Sequence, residues 1–112
     1  MSDNMKRGDL FTLTKQLRWD DGTPIDLTTV KAVIFIMRLD GETDPVVYDE
    51  CQIDDAANGM VSYEFKQGET EVPGMYRYEF EIQSFAKRDE EYRPFTVPSS
   101  GRYWMHIEGD LA

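Results

Sequence analysis

From Pro73 onward the chain alternates. Tyr76, Tyr78, Phe80 and Ile82 occupy every second position, with Met75, Arg77, Glu79, Glu81 and Gln83 between them. In an extended chain successive side chains point to opposite faces, so this period places the four large ones on one sheet face. A helix would distribute them around its circumference. The segment therefore reads as a strand with one buried face, opened by the turn signal Pro73-Gly74.

Similar signals recur along the chain. Leu10 to Trp19 predicts a first strand with Phe11, Leu13, Leu17 and Trp19 on one face; Lys15 interrupts that face and calls for a bulge or an edge position. Asp20-Asp21-Gly22-Thr23-Pro24 is a turn, and Asp26-Leu27-Thr28 offers side-chain oxygens to nearby backbone amides. Val30 to Leu39 is apolar on both faces, Val30, Ala32, Ile34 and Ile36 against Val33, Phe35 and Met37, as expected of a central strand covered on both sides or lying next to a partner subunit. Asp40-Gly41 ends it, and Val46 to Ile53 predicts a third, weaker strand. Asn58-Gly59 marks a tight turn before Val61, Tyr63 and Phe65. After the Tyr76 strand, Lys87 to Glu91 reads as a charged hairpin tip, followed by strands at Tyr92 to Val97 and Arg102 to Glu108. Pro94 and Pro98 confine the first of these to an edge or an irregular course. Roughly seven strands punctuated every ~8–12 residues predict an all-β sandwich of immunoglobulin-like type. Tyr76, just after the turn at Pro73 and Gly74, suits the tyrosine corner of such sandwiches, and Asp26 suits a structural turn.

A chain of 112 residues predicts a single domain over 1–112, with 6–108 as its folded core. Hydrophobic residues make up 40% of the sequence, which separates it from disordered chains. The formal net charge is -10, from 12 basic and 22 acidic residues. Such a balance repels phosphate backbones, and no basic patch offsets it, so no nucleic-acid partner is expected. Cys51 is the single cysteine, so the sandwich is expected to hold without a disulfide, as suits a protein made in a reducing cytoplasm. The first residues, Met1 to Arg7, lack the apolar region of a signal peptide, and the longest apolar run, Ala32 to Met37, is too short to span a bilayer.

Candidate chemistry is sparse. Arg7-Gly8-Asp9 spells an adhesion tripeptide, but Gly8-Asp9 has a simpler use at a strand start. Asp40, Glu42 and Asp44 mimic the start of a calcium loop, yet Pro45 replaces its glycine and Cys51 its last glutamate. His106 and Cys51 lack an accompanying oxyanion motif, and one of each is too few for zinc. No catalytic, metal or cofactor site is expected. The aromatics Trp19, Tyr48, Tyr63, Tyr76, Tyr78, Phe80, Tyr92 and Tyr103 mostly fall on core faces. Trp104 alternates with Arg102 and His106 outside that set, and an exposed Trp beside Arg has the composition of an interface hot spot.

The order of the turn motifs adds to this reading. Gly8-Asp9, then Asp21-Gly22-Thr23-Pro24 leading to Asp26-Leu27-Thr28, then Asn58-Gly59-Met60-Val61, Gly68-Glu69-Thr70, Pro73-Gly74-Met75-Tyr76 with Glu79-Phe80, and Val97-Pro98 before Gly101-Arg102-Tyr103 run in sequence over residues 6–108. In this the chain resembles the immunoglobulin-like N-terminal domain of phage baseplate upper proteins. The resemblance implies a non-enzymatic virion structural protein of the tail or baseplate that docks other virion proteins, in a homo-oligomer within a symmetric assembly. Long members of the family continue into segments that assemble a trimer and carry receptor-binding proteins. The alternative is an accessory adhesion module that binds a host glycan, since a sandwich supports either role.

Overall fold

The alternating segments lie in two sheets whose apolar faces meet. The computed structural model describes residues 2–8, 10–84, 95–98 and 103–109. Among these, nine strands occur: β1 Ser2–Lys6, β2 Thr12–Gln16, β3 Val30–Leu39, β4 Val47–Glu50, β5 Gln52–Asp55, β6 Met60–Glu64, β7 Gly74–Ser84, β8 Phe95–Val97 and β9 Tyr103–Glu108. The larger sheet runs β1-β9-β7-β3-β4, with β8 also paired to β7; the smaller runs β2-β6-β5. The β-sandwich expected from the sequence is present. The helical content described is one 3-10 turn at Ala56–Asn58.

Strand β7 organises the larger sheet because its 11 residues offer one edge to two partners. Gly74 to Tyr78 pair with β9, and Phe80 to Ile82 pair with β8, while β3 takes the opposite edge. Tyr76, Tyr78, Phe80 and Ile82 are all buried, so the period-two reading of this segment holds. The core centres on Phe35, fully enclosed, whose ring lies 4.6 Å from Tyr63, 5.6 Å from Phe65, 5.5 Å from Tyr78 and 5.6 Å from Phe80. These rings come from both sheets and bind them together by area burial and by ring–ring contacts.

The structure differs from the sequence reading at several points. Two strands join the seven expected. One is β1, which pairs in parallel with β9; its register, Met5 opposite Ile107, gave no visible alternation in so short a segment. The other arises because Val46 to Ile53 is two strands, β4 in the larger sheet and β5 in the smaller. The chain changes sheets at Cys51, whose N–H donates to the Val33 carbonyl at 2.8 Å. Burial beside Asp49, Glu50 and Asp54 pushes the Cys51 thiol up to about 12, which keeps it protonated and unreactive.

The first strand is shorter than expected, because the chain leaves the sheet after Gln16. Trp19 is accordingly exposed and does not join Leu13 and Leu17 inside. Lys15 is accommodated at an edge and without a bulge, since β2 is the outermost strand of its sheet and its register with β6 is continuous. Its ammonium sits 5.8 Å from the Tyr78 ring centre and 5.2 Å from that of Tyr103, where the ring faces attract a cation. The charged tip at Lys87 to Glu91, with Tyr92 and Pro94, lies outside the described residues.

Between β2 and β3 the chain crosses the end of the smaller sheet without forming a strand. Leu17, Ile25 and Leu27 are buried there. The Leu17 N–H donates to the Gly59 carbonyl, that of Ile25 to Leu17, and that of Leu27 to Ala56, each at 2.8 Å. Gly59 is the pivot. It has φ +69°, and a Cβ on it would stand 2.7 Å from the carbonyl oxygens of both Ile25 and Leu17. Left-handed geometry alone costs about 1–2 kcal/mol for a side chain, and here the clash is with backbone that cannot yield. Gly59→Ala is therefore expected to cost more than that figure in urea unfolding, whereas Gly22→Ala, with open space around it, should cost no more than the conformational term.

Candidate functional site

The outer face of the larger sheet gathers the residues on which a docking role depends. Directly opposed residues share a face, and the register sets Trp104 opposite Arg77, Met75 opposite His106, and Arg77 opposite Arg38. On the other side of β9, Asn4 faces His106 and Lys6 faces Glu108. Alternation along β7 and β9 sends Tyr76, Tyr78, Met105 and Ile107 inward, so Met75, Arg77, Trp104 and His106 form a two-by-two block pointing out.

The block is pinned rather than loose. The Arg77 guanidinium donates to the carbonyls of Glu42, at 2.7 Å, and Leu39, at 3.3 Å, and lies 3.8 Å from the Asp40 carboxylate. Arg38 donates to the Thr43 carbonyl at 3.0 Å and pairs with Glu79 at 2.7 Å. Two guanidinium groups directly opposite each other would repel; each is held by a carboxylate and by the turn following β3. Their fixed positions reduce the ordering cost of any contact they make.

Trp104 and His106 are half-buried, whereas the sequence suggested an exposed tryptophan. The reason is the register, since neighbouring strands flank Trp104 on both sides. Met75 is the most open member of the block, 41% exposed, and sequence inspection had passed over it as a spacer in the β7 alternation. Arg77 was likewise counted only as a polar position. Cross-strand register was the signal that would have grouped them with Trp104, and a single sequence does not carry it. Arg102 lies outside the described residues.

The outer stripe of β3 is also different from an open patch. Ala32, Ile34 and Ile36 form their own small cluster and are already buried. Ile36 lies between Glu79 and Tyr48, and Ile34 between Glu81 and Glu50, so the chain itself flanks the stripe. Of the two expectations for β3, cover on both sides and contact with a neighbour, cover within the chain accounts for its apolar residues.

The remaining motifs have structural partners. Tyr76 is buried and its hydroxyl donates to the Val72 carbonyl at 2.6 Å, across the turn formed by Pro73 and Gly74. Asp26 accepts from the Thr28 N–H at 2.9 Å, and Asp21 from the Thr23 N–H and hydroxyl at 2.9 and 2.7 Å. These bonds to threonine hold both carboxyls below the usual carboxylate range. Tyr63 donates to both oxygens of Glu69, at 2.9 and 2.8 Å; burial first, and this carboxylate second, push its phenol upward. A polar cleft of about 360 Å³ beside it includes Asp49, Glu50, Gln52 and Lys66, and Lys66 pairs with Asp49. Cys51 is enclosed in the core, while His106 is on the far face of the larger sheet, so the two do not meet. Among the described residues no three His, Cys, Asp or Glu side chains are grouped to hold a metal ion. Of the adhesion tripeptide, Arg7 and Gly8 bond through their N–H groups to the carbonyls of Glu108 and Thr70, and Asp9 lies outside the described residues.

If Tyr76 closes the turn before β7, Tyr76→Phe should cost about 1 kcal/mol, the net value of one hydrogen bond. Tyr76→Ala should cost about 3–5 kcal/mol by leaving a cavity. Chemical denaturation of the two variants checks both, and a silent alanine substitution would rule out the role.

A search of curated proteins found no match to this chain. The family model described as BppU N-terminal domain matches residues 7–97. That span contains β2 through β8, hence the whole smaller sheet and the β3–β7 centre of the larger one. The chain belongs to the family of baseplate upper protein N-terminal domains.

Proposed function

We propose that this domain docks other virion proteins in a phage tail baseplate, through the outer face of its six-stranded sheet. Membership of the baseplate upper protein family supports a structural, non-enzymatic part in the baseplate and neighbours among virion proteins. The observation that carries the finer reading is the block of Met75, Arg77, Trp104 and His106, which the register brings onto one sheet face. Trp, Met and Arg are the residue types enriched where proteins meet, and the fixed arginines make the face rigid before contact. The protein would be made in the host cytoplasm and act in the tail or baseplate of the virion as a homo-oligomer within a symmetric assembly, so that one modest contact is repeated around the axis. No helix among the described residues is long and apolar enough to cross a membrane.

Mass spectrometry of purified particles, with and without a controlled dissociation of the tail, tests this directly. The chain should be found in stoichiometric amount and leave with the baseplate fraction. Its absence from particles that are intact and infectious would overturn the proposal.

A further inference from the structure

Trp19 stands apart from the docking face and from the core. It is 48% exposed, the more accessible of the two tryptophans, yet it is held firmly. Its backbone N–H donates to the Thr23 carbonyl and its backbone carbonyl accepts from the Gly22 N–H, both at 2.8 Å. Asp21 locks the same turn through Thr23, and Arg18 donates to the Gly22 carbonyl at 2.6 Å. One indole face stacks on Phe95, with ring centres 5.5 Å apart and planes 14° from parallel. The exposed area is therefore on the opposite face and the ring edge. Beside the ring is a cleft of about 220 Å³ lined by Arg18, Trp19, Asp20, Phe95, Thr96 and Val97.

We infer that this cleft binds a single neutral pyranose ring of a glycan chain. The apolar C–H face of a pyranose suits an aromatic face, whose negative quadrupole attracts the slightly positive hydrogens. Its hydroxyls need donors and acceptors around the rim, and Arg18, Asp20 and Thr96 supply a guanidinium, a carboxylate and a hydroxyl. The cleft is smaller than the ~300 Å³ lower range of drug-sized pockets, which suits one ring. Net charge -10, with Asp20 at the rim, disfavours acidic sugars. A protein anchor would require a wider apolar surround than this mixed rim offers. The turn fixes the platform in advance, so little ordering accompanies binding. The inference is independent of the docking face, which lies on the outer side of β7 and β9.

The test uses the full chain labelled with nitrogen-15 and titrated with the methyl pyranosides of glucose, galactose, mannose, rhamnose and N-acetylglucosamine. Affinity on the order of 1 mM is expected for one ring. At least one sugar should shift the Trp19 indole N–H together with the Gly22 and Thr96 amides. Trp19→Ala should abolish the shifts while the amides of Val61 and Phe80 stay in place, and Asp20→Ala, at an exposed site, should weaken them by at least threefold. Trp104→Glu should leave them unchanged. Silence at Trp19 and Thr96 with every sugar, or shifts that persist in both Trp19→Ala and Asp20→Ala, would overturn the inference.

Discussion

Phe35→Ala should destabilise the domain by about 3–5 kcal/mol, a large share of the ~5–15 kcal/mol that holds a typical domain folded. Phe35 is fully enclosed and touches four rings, two on β7 in its own sheet and two at the β6 end of the other. Removing it takes away the side chain that both sheets share. Tyr63 and Phe65 are held edge to face by one another, and Tyr63 also by Glu69, so the surrounding rings have little freedom to close the cavity. Urea unfolding should show a lower midpoint with an unchanged slope. Leu10→Ala, an exposed position ahead of β2, should stay within about 0.5 kcal/mol and serves as the control. A Phe35→Ala variant as stable as the parent would mean that the two sheets are not joined through this ring cluster.

Trp104→Glu should lower incorporation into particles at least tenfold while the isolated domain remains folded. Truncation at an interface hot spot costs about 2 kcal/mol or more, and tenfold corresponds to about 1.4 kcal/mol. A carboxylate at this position also faces the guanidinium of Arg77 and would draw it away from the Glu42 carbonyl that fixes it. The fold should survive because Trp104 is half-buried on the outer face, whereas its neighbours Met105 and Ile107 fill the core. Quantitative blotting of purified particles against circular dichroism of the free domain separates loss of docking from loss of folding. Normal incorporation would remove Trp104 from the contact.

What the sequence disclosed follows from how local each signal is. β3, β6 and β7 were legible because their alternation or apolar density is strong over adjacent residues, and the turns were legible because Asp21 and Asp26 bond within two residues of themselves and Gly59 supplies the left-handed φ of its own turn. The sheet change at Cys51 was not. Val46 to Ile53 keeps a strand-like composition through it, and only the bond from Cys51 to Val33 on one side, and the pairing of Ile53 with Val61 on the other, reveal the division. β1 was missed for a related reason, since a parallel partner some hundred residues away leaves no local trace. At the candidate site Trp104 and His106 were found from alternation with Arg102, but Met75 and Arg77 join them through a register that is set by tertiary pairing. Trp19 was placed inside because its spacing fits the face of Leu13 and Leu17; β2 ends at Gln16, so the chain has left the sheet before Trp19 is reached.

A photo-reactive amino acid introduced at Met75 tests the docking face without relying on loss of function, because position 75 is open in the free domain and central in the proposed contact. Irradiated particles carrying it should yield a covalent adduct to another virion protein. The same probe at Glu64, on the outer face of the smaller sheet, should yield none. Adducts from position 64 with none from position 75 would place the contact on the opposite side of the sandwich and contradict docking through Met75, Arg77, Trp104 and His106.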